Sequence, residues 1–285
     1  MTAARSIESG VETCVLEADT LDPSAVSMTS VPVLGIRYDA LSTAETTDRV
    51  LEWAEAGEAR YVCFSNAHGV IEAEDDPSYA DVLNGADLNV PDGMSIVRAM
   101  RARGVAQRDR VYGPDVTLSV AREAAARGIP VALYGSTESV LEALRERLPQ
   151  KAPGLEVVEA ISPPFRSLTD DEDEAFVQRL RASGARIVFV GLGCPRQERW
   201  CAEHAERVGA VCLAVGAAFD FHAGLLRQAP EVLQRAGLEW AFRLAVEPRR
   251  LWRRYARVVP RFLLGDAGER LRRMPASRTP QAASR

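Results

Sequence analysis

The sequence predicts an α/β fold: a mostly parallel sheet with helices on both faces. Three observations carry that prediction. Short apolar runs rich in β-branched and aromatic residues recur along the chain. Amphipathic helical patterns separate them, so each crossover is long enough to return the chain parallel to the strand before. The strand runs are apolar throughout, as strands covered on two sides are.

Residues 1–30 are polar and aperiodic, and are expected to form a disordered leader. An α/β domain then spans 31–237. A helical pattern over Thr43–Glu55 precedes the strand run Tyr61–Ser65, and another lies within Ala67–Leu83. Asp87–Val90 is the next strand run, followed by helical patterns at Met94–Arg103 and Asp115–Arg127. Strand runs at Val131–Tyr134, Glu156–Val158, Arg186–Val190 and Val211–Val215 alternate with helices at Glu138–Leu148, Asp170–Ser183 and Gln197–Val208. After Asp220 the strands stop. The segment GLEWAFRLAVEPRRLWRRYARVVPRFLL reads as helices interrupted at Pro248 and Pro260, a helical appendage over 238–264. Residues 265–285 read as a disordered tail.

Composition excludes several classes. The chain of 285 residues is 47% hydrophobic and 26% charged, ordinary for a globular protein. The longest apolar run, Val211–Phe219, falls well short of the roughly 18 residues a membrane span needs. The first residues, MTAARSIESGVETC, hold no apolar core of a secretory signal. Five cysteines without a CxxC pair argue against a disulfide framework or a structural zinc site and point to a reducing, cytoplasmic setting. Charge is divided unevenly. From Trp240 onward twelve arginines face Glu247, Asp266 and Glu269, a net +9, which leaves −14 on the remainder of a chain whose total is −5. Such a tail fits an anionic partner such as a membrane surface, nucleic acid or a phosphorylated ligand, or else pairs with the acidic body.

Ligands of open parallel sheets bind beyond the carboxyl ends of the strands, so the loops there are the candidates. Val190-Gly191-Leu192-Gly193-Cys194-Pro195-Arg196-Gln197-Glu198 follows a strand and opens a helix, an arrangement suited to a diphosphate. Arg196 stands where a dinucleotide fingerprint has its third glycine, which disfavours an NAD-dependent oxidoreductase. Asp92, in Val90-Pro91-Asp92-Gly93, is placed for a general base or ligand anchor, or merely for a turn. Arg110 precedes a glycine turn and offers a planar fork to phosphate. Asp220 can anchor a ligand or cap a helix, and His222 reads as structural. The acidic clusters Glu74-Asp75-Asp76 and Asp170–Glu174 read as solvated helix starts, so no metal and no other cofactor is expected.

NAHGVIEAEDDPSYADVLNGADLNVPDG, RVYGPDV, VALYGS, VGLGCPRQERW, GAAFDFHAG, QAP and GLEWAFRLAVEPRRLWRRY, in this order, resemble the WecG/TagA/CpsF family of bacterial glycosyltransferases. The resemblance runs from about Val33 to Phe262, more than three quarters of the chain. It implies a Rossmann-like domain with an arginine-rich appendage that completes the active site at the membrane. It implies an inverting, metal-independent transferase that moves a sugar from a UDP-sugar to a sugar on a polyprenyl diphosphate, in teichoic acid, exopolysaccharide or other cell-surface polysaccharide synthesis. The enzyme would then sit peripherally on the inner face of the cell membrane. By the same resemblance Asp92 is the general base, and Arg110, Gln197, Arg249, Arg250, Arg253 and Arg254 fall on the family's motif positions, with Tyr255 closing the last motif; Ser65, Asn66, Gly135, Gly191, Gly193 and Asp220, at or just past strand ends, complete the set expected to bind substrate. Phe64 departs from the threonine many members have two residues before the asparagine, and Ser65 replaces it only if the backbone shifts, because neighbouring strand residues face opposite sides. Arg227-Gln228-Ala229-Pro230 departs from the usual R-A-P. An apolar patch under the appendage would allow a homo-oligomer. Two rival readings remain: a catalytically inactive UDP-sugar-binding protein, and a nucleic-acid-binding module on the basic, aromatic tail. The second leaves the strand-end loops without a role.

Overall fold

A computed structural model describes residues 29–235 and 237–273, the side chains of Glu231, Arg235 and Arg250 excepted. It opens with an antiparallel hairpin, β1 (Ser30–Val33) and β2 (Ile36–Asp39). There follow α1 (Thr43–Ala56), β3 (Arg60–Ser65), α2 (Ala67–Asp75), α3 (Pro77–Asn84), β4 (Leu88–Pro91), α4 (Met94–Arg101) and α5 (Gly113–Arg127). The second half holds β5 (Val131–Gly135), α6 (Glu138–Lys151), β6 (Val157–Ile161), α7 (Asp170–Ala182), β7 (Ile187–Gly191), α8 (Arg196–Val208) and β8 (Val211–Ala214). Four further helices complete the chain: α9 (Ala218–His222), α10 (Glu231–Arg235), α11 (Glu239–Val246) and α12 (Pro248–Arg273).

β3 to β8 form one sheet in the order β4-β3-β8-β7-β5-β6, and every neighbouring pair is parallel. The α/β class with helices on both faces is thus the fold, and each expected strand is present within a few residues of its expected limits. The β1–β2 hairpin was not anticipated. The leader expected over 1–30 lies outside the described residues apart from Thr29 and Ser30, and Ser30 already belongs to β1.

The sheet sorts side chains by alternation. Val62 and Phe64 of β3 join the core under α1, α5 and α6, with Leu51, Val120, Leu133 and Leu213. Cys63 turns to the other face, where Tyr38, Ile71, Leu83 and Met100 pack beneath the hairpin, α2, α3 and α4. Beyond it on that same face, Tyr134, Val188 and Cys212 meet Trp200 and Cys201 of α8. Local chemistry starts the helices where the pattern does. Ser42–Glu45 and Thr169–Glu172 form complete capping boxes ahead of α1 and α7.

The end of the chain differs from expectation. α12 runs without interruption through Pro260 and Gly265 to Arg273, and residues 274–285 lie outside the described residues. Ala256 and Pro260 are on the exposed side, where water reaches the carbonyl that the proline leaves without a donor. The opposite side is anchored by Leu251, Val258 and Phe262, all nearly inaccessible, at helical spacing. Asp266 continues that buried stripe and is met by Arg103, whose guanidinium reaches Asp266 Oδ1 and Glu269 Oε2, each at 2.7 Å. The other oxygen of Glu269 and of Asp266 takes Arg273 and Arg270 from the helix itself. Glu269 Oε2 also accepts the backbone N–H of Leu34 at the hairpin turn, at 2.9 Å.

Part of the acidic body pairs with the tail. Arg261 reaches Glu74 and Asp75, and Arg257 joins Asp75, so the first acidic cluster is a docking surface for α12 rather than a purely solvated helix end. Asp76 caps α3 and takes Arg199. In the second cluster Asp173 and Glu174 bind Arg207, and Glu172 binds Arg166. None of the described helices is long and apolar enough to cross a membrane.

The Arg103 clamp is open to measurement. Arg103 has 1% of its side chain exposed, so Arg103→Met strands two carboxylates that keep their own-helix arginines and, at Glu269, the Leu34 N–H. Urea unfolding at neutral pH is expected to show a loss of about 2–3 kcal/mol, below the usual cost of orphaning a buried ion because those arginines remain.

Candidate active site

Every strand of the parallel sheet ends at the same edge, and the candidate residues collect there. β4 ends at Pro91, and the backbone N–H of Asp92 donates to the carbonyl of Ser65 at the end of β3, at 3.0 Å. The loop before α5 then returns: Val111 N–H donates to the carbonyl of Pro91 at 2.8 Å. That contact brings the first N–H of α5, from Gly113, to 3.2 Å from Asp92 Oδ1. Asn66 caps α2 by accepting the His68 N–H at 3.0 Å and turns its Nδ2 to Asp92 Oδ2 at 3.4 Å. Gly93 allows this approach, since a Cβ there would lie 3.3 Å from Asn66 Cβ. The Pro-Asp-Gly element is therefore more than a turn.

Burial pushes the Asp92 carboxyl up to about 7. Arg110, the Gly113 N–H and Asn66 pull it down, while Glu239 adds to the rise. His68 moves the other way, to about 4, through burial and then the nearby Arg254 and Arg257, so it is neutral at physiological pH.

Arg110 is at the rim, but not as a free fork. Its guanidinium lies 3.8 Å from the centroid of Tyr112, binds the carboxylate of Glu239, and donates to Gln234 Oε1 at 2.8 Å. The Tyr112 hydroxyl donates to the other Glu239 oxygen at 2.8 Å. Tyr112, Gln234 and Glu239 were missed as site residues. Glu239 lies in the GLEW segment, but no periodicity links it to a partner 129 residues away. Beside Arg110 opens a cleft of about 800 Å³ whose lining includes Ser42, Gln107, Arg108, Asp115 and Gln234.

Other expected binders have structural duties. The Ser65 hydroxyl is buried and bonded to Asn89 Oδ1 at 2.6 Å and to the Tyr38 hydroxyl at 3.0 Å, on the face away from Phe64. Gln197 is buried with its amide already spent. Its Nε2 donates to Ala214 O at 2.8 Å and Glu198 Oε1 at 2.9 Å, and its Oε1 accepts the Gly193 N–H at 3.0 Å. It fastens the glycine turn to the end of β8, and both of its amide N–H groups are engaged in doing so. Gly135 and Gly191 pair across β5 and β7, where a Cβ on Gly191 would lie 2.5 Å from the Phe219 ring. Gly193 alone of these three glycines faces open space. Asp220 lies within α9 rather than on a loop, half-buried, with its carbonyl accepting the N–H groups of Leu225 and Leu226. His222 bonds the carbonyl of Pro114 at 2.8 Å, the structural use expected of it.

On the appendage, Arg249 and Arg253 are exposed and, with Pro248 and Trp252, line a shallow depression of about 450 Å³. Arg254 turns inward toward His68 and Cys194, and its Nε is buried without a partner. Tyr255 packs edge-on against Trp240 at 5.8 Å between ring centroids. The side chain of Arg250 lies outside what is described. The structure thus gathers Asn66, Asp92 and Arg110 at one corner of the sheet edge, while Arg254 of the appendage acts on His68 and Cys194.

The model of the WecG/TagA/CpsF glycosyl transferase family matches residues 31–276, from the hairpin past the end of α12. The chain belongs to this family. It is therefore a glycosyltransferase with a Rossmann-like domain, as the motifs led one to expect. The match includes the appendage, so the arginine-rich helices are part of the family's architecture rather than an addition to it.

The raised carboxyl of this glycosyltransferase has a consequence for stability. Asp92 is lifted from 3.8 to about 7, so the native state keeps a proton that the unfolded chain releases as pH rises through that window. Its contribution to stability therefore falls between about pH 4 and pH 7. Asp92→Asn carries no such cost. In differential scanning calorimetry it is expected to melt about 3–6 °C above wild type at pH 8 and close to wild type at pH 4.

Proposed function

We propose that the protein transfers a sugar, with inversion, from a UDP-sugar to a sugar carried on a polyprenyl diphosphate, and that it needs no metal. The observation that carries this reading is Asp92: a carboxyl at the strand-end edge, held through both oxygens, with a proton affinity close to neutral. A general base works best when its pKa lies near the working pH.

Inversion is one in-line displacement. The acceptor hydroxyl oxygen bonds to the anomeric carbon as the bond from that carbon to the UDP oxygen breaks, through an oxocarbenium-like transition state. The hydroxyl proton goes to Asp92, and the electron pair of the broken bond leaves with UDP. Negative charge then grows on the diphosphate, where guanidinium groups stabilise it. Arg254, inward-facing with an unpartnered Nε, is the appendage cation best placed for this. The exposed Arg249 and Arg253 suit the lipid diphosphate or an anionic membrane surface. Trp252, Leu263, Leu264 and Leu271, exposed along the same helix, suit the inner face of the cell membrane, with the protein bound peripherally. The donor is a UDP-hexose, with N-acetylmannosamine as one candidate. Phe64 places an apolar ring where the family threonine would offer a hydroxyl, and the Ser65 hydroxyl is committed on the opposite face.

The test is UDP release across a panel of UDP-sugars, with a polyprenyl-diphosphate-GlcNAc analogue as acceptor. One donor is expected to support turnover, and Asp92→Asn to lower it by about 10²–10⁴-fold. EDTA is expected to leave the rate unchanged. UDP-sugar binding without turnover for any acceptor would favour the inactive binding protein instead. Truncation after Leu238 is expected to abolish transfer and weaken sedimentation with anionic vesicles; equal sedimentation would remove the membrane role.

A further inference from the structure

With Asp92 as the base of the transfer, a reading on which this inference rests, the charges around its carboxyl become decisive. A guanidinium beside a buried carboxyl favours its ionised form and makes it a weak base. Arg110 is the cation that acts most strongly on Asp92. It is also thoroughly engaged: stacked on Tyr112, bonded to Gln234 Oε1, and paired with the carboxylate of Glu239, with 10% and 13% of the two side chains exposed. Both Gln234 and Glu239 come from the segment after the catalytic sheet. Tyr112, which donates to the same Glu239 carboxylate, immediately precedes Gly113, whose N–H bonds Asp92 Oδ1. The path from the appendage to the carboxyl oxygen is continuous: Glu239, Arg110 and Tyr112, Gly113, Asp92.

We propose that Glu239 is a positioning residue for the transfer reaction: it neutralises Arg110 and clamps the Arg110–Gly113 loop, so that Asp92 is a competent base only while the appendage is docked. The other groups facing Asp92 do not substitute for it. Tyr38 from β2 and Tyr112 from the loop are neutral, because burial drives both phenols above their ordinary range, and Asn66 from α2 carries no charge. Glu239 is the anion among them, and it adds to the lift on Asp92 while Arg110 opposes it. Asp115, in the first turn of α5, also offsets Arg110 in part, so removing the Glu239 charge leaves Arg110 less opposed and moves Asp92 downward.

The experiment is a carbon-13 NMR titration of the aspartate carboxyls in the full-length protein, with the Asp92 signal assigned by its loss in Asp92→Asn. The wild-type midpoint is expected near neutral pH. Glu239→Gln keeps the shape and hydrogen-bonding capacity but not the charge, and is expected to lower the midpoint by about one pH unit or more. Tyr112→Phe removes a hydrogen bond and no charge, and is expected to leave the midpoint close to wild type. In turnover, Glu239→Gln is expected to shift the acid limb of kcat/KM to lower pH by the same interval and to lower the plateau rate, with donor KM little changed. An unchanged Asp92 midpoint in Glu239→Gln overturns the proposal. Should that variant fail to fold, Arg110→Gln gives the opposite test, with a raised midpoint expected and an unchanged one overturning it. The titration needs no substrate, so it separates two failures. A shifted midpoint with full turnover in Asp92→Asn keeps the coupling and removes the base, whereas an unshifted midpoint with a dead Asp92→Asn removes the coupling and keeps the base.

Discussion

Six parallel strands must all finish at one edge, and that constraint organises the molecule. It makes neighbours of segments far apart in sequence: Ser65–Asn66 at the end of β3, Asp92 after β4, Gly135 and Gly191 closing β5 and β7, and Gly216 after β8. Backbone hydrogen bonds continue past the strands proper, from Asp92 to Ser65 and from Val111 to Pro91, and set the spacing of the groups at the rim. The side chains there are held by the edge as much as they act on it. Gln197 ties the glycine turn to β8, and Gly191 makes room for Phe219.

The uneven charge of the chain resolves into contacts of three kinds. Arg257 and Arg261 meet Glu74 and Asp75 in partly exposed pairs, which contribute little each and are screened by salt. Arg103 with Asp266 and Glu269, and Arg110 with Glu239, are mostly withdrawn from water, where a missing partner costs much more. Arg249 and Arg253 stay exposed beside Trp252. Much of the basic tail is therefore consumed in fastening itself, and only part of it is turned outward to an anionic ligand.

The sheet was legible because burial on two faces writes a continuous apolar run, and the helices because their amphipathic period differs from it. The β1–β2 hairpin was not, since SVPV and IRYD are short and sit beside a polar leader. The unbroken α12 was misread at Pro260 because a proline on the solvent side of a long, anchored helix costs less than the general rule allows. At the site, Asn66, Asp92 and Arg110 were legible as polar residues just past apolar strands. For Ser65 and Gln197 the sequence does not show which hydrogen bonds a buried amide or hydroxyl has already made. Glu239 and Tyr112 went unseen for a related reason: their meaning lies in a pairing across 127 residues, which no local pattern records.

The bond from Leu34 N–H to Glu269 Oε2 spans 235 residues. During synthesis the hairpin leaves the ribosome more than 200 residues ahead of Val258, Phe262 and Glu269, which cover and cap it. Val31, Val33 and the backbone of the hairpin turn thus wait through most of translation with their final partners not yet made. Long-range closure of this kind slows folding and leaves apolar surface uncovered meanwhile. The nascent chain is then aggregation-prone until α12 arrives, so that a helix made late seals a hairpin made early.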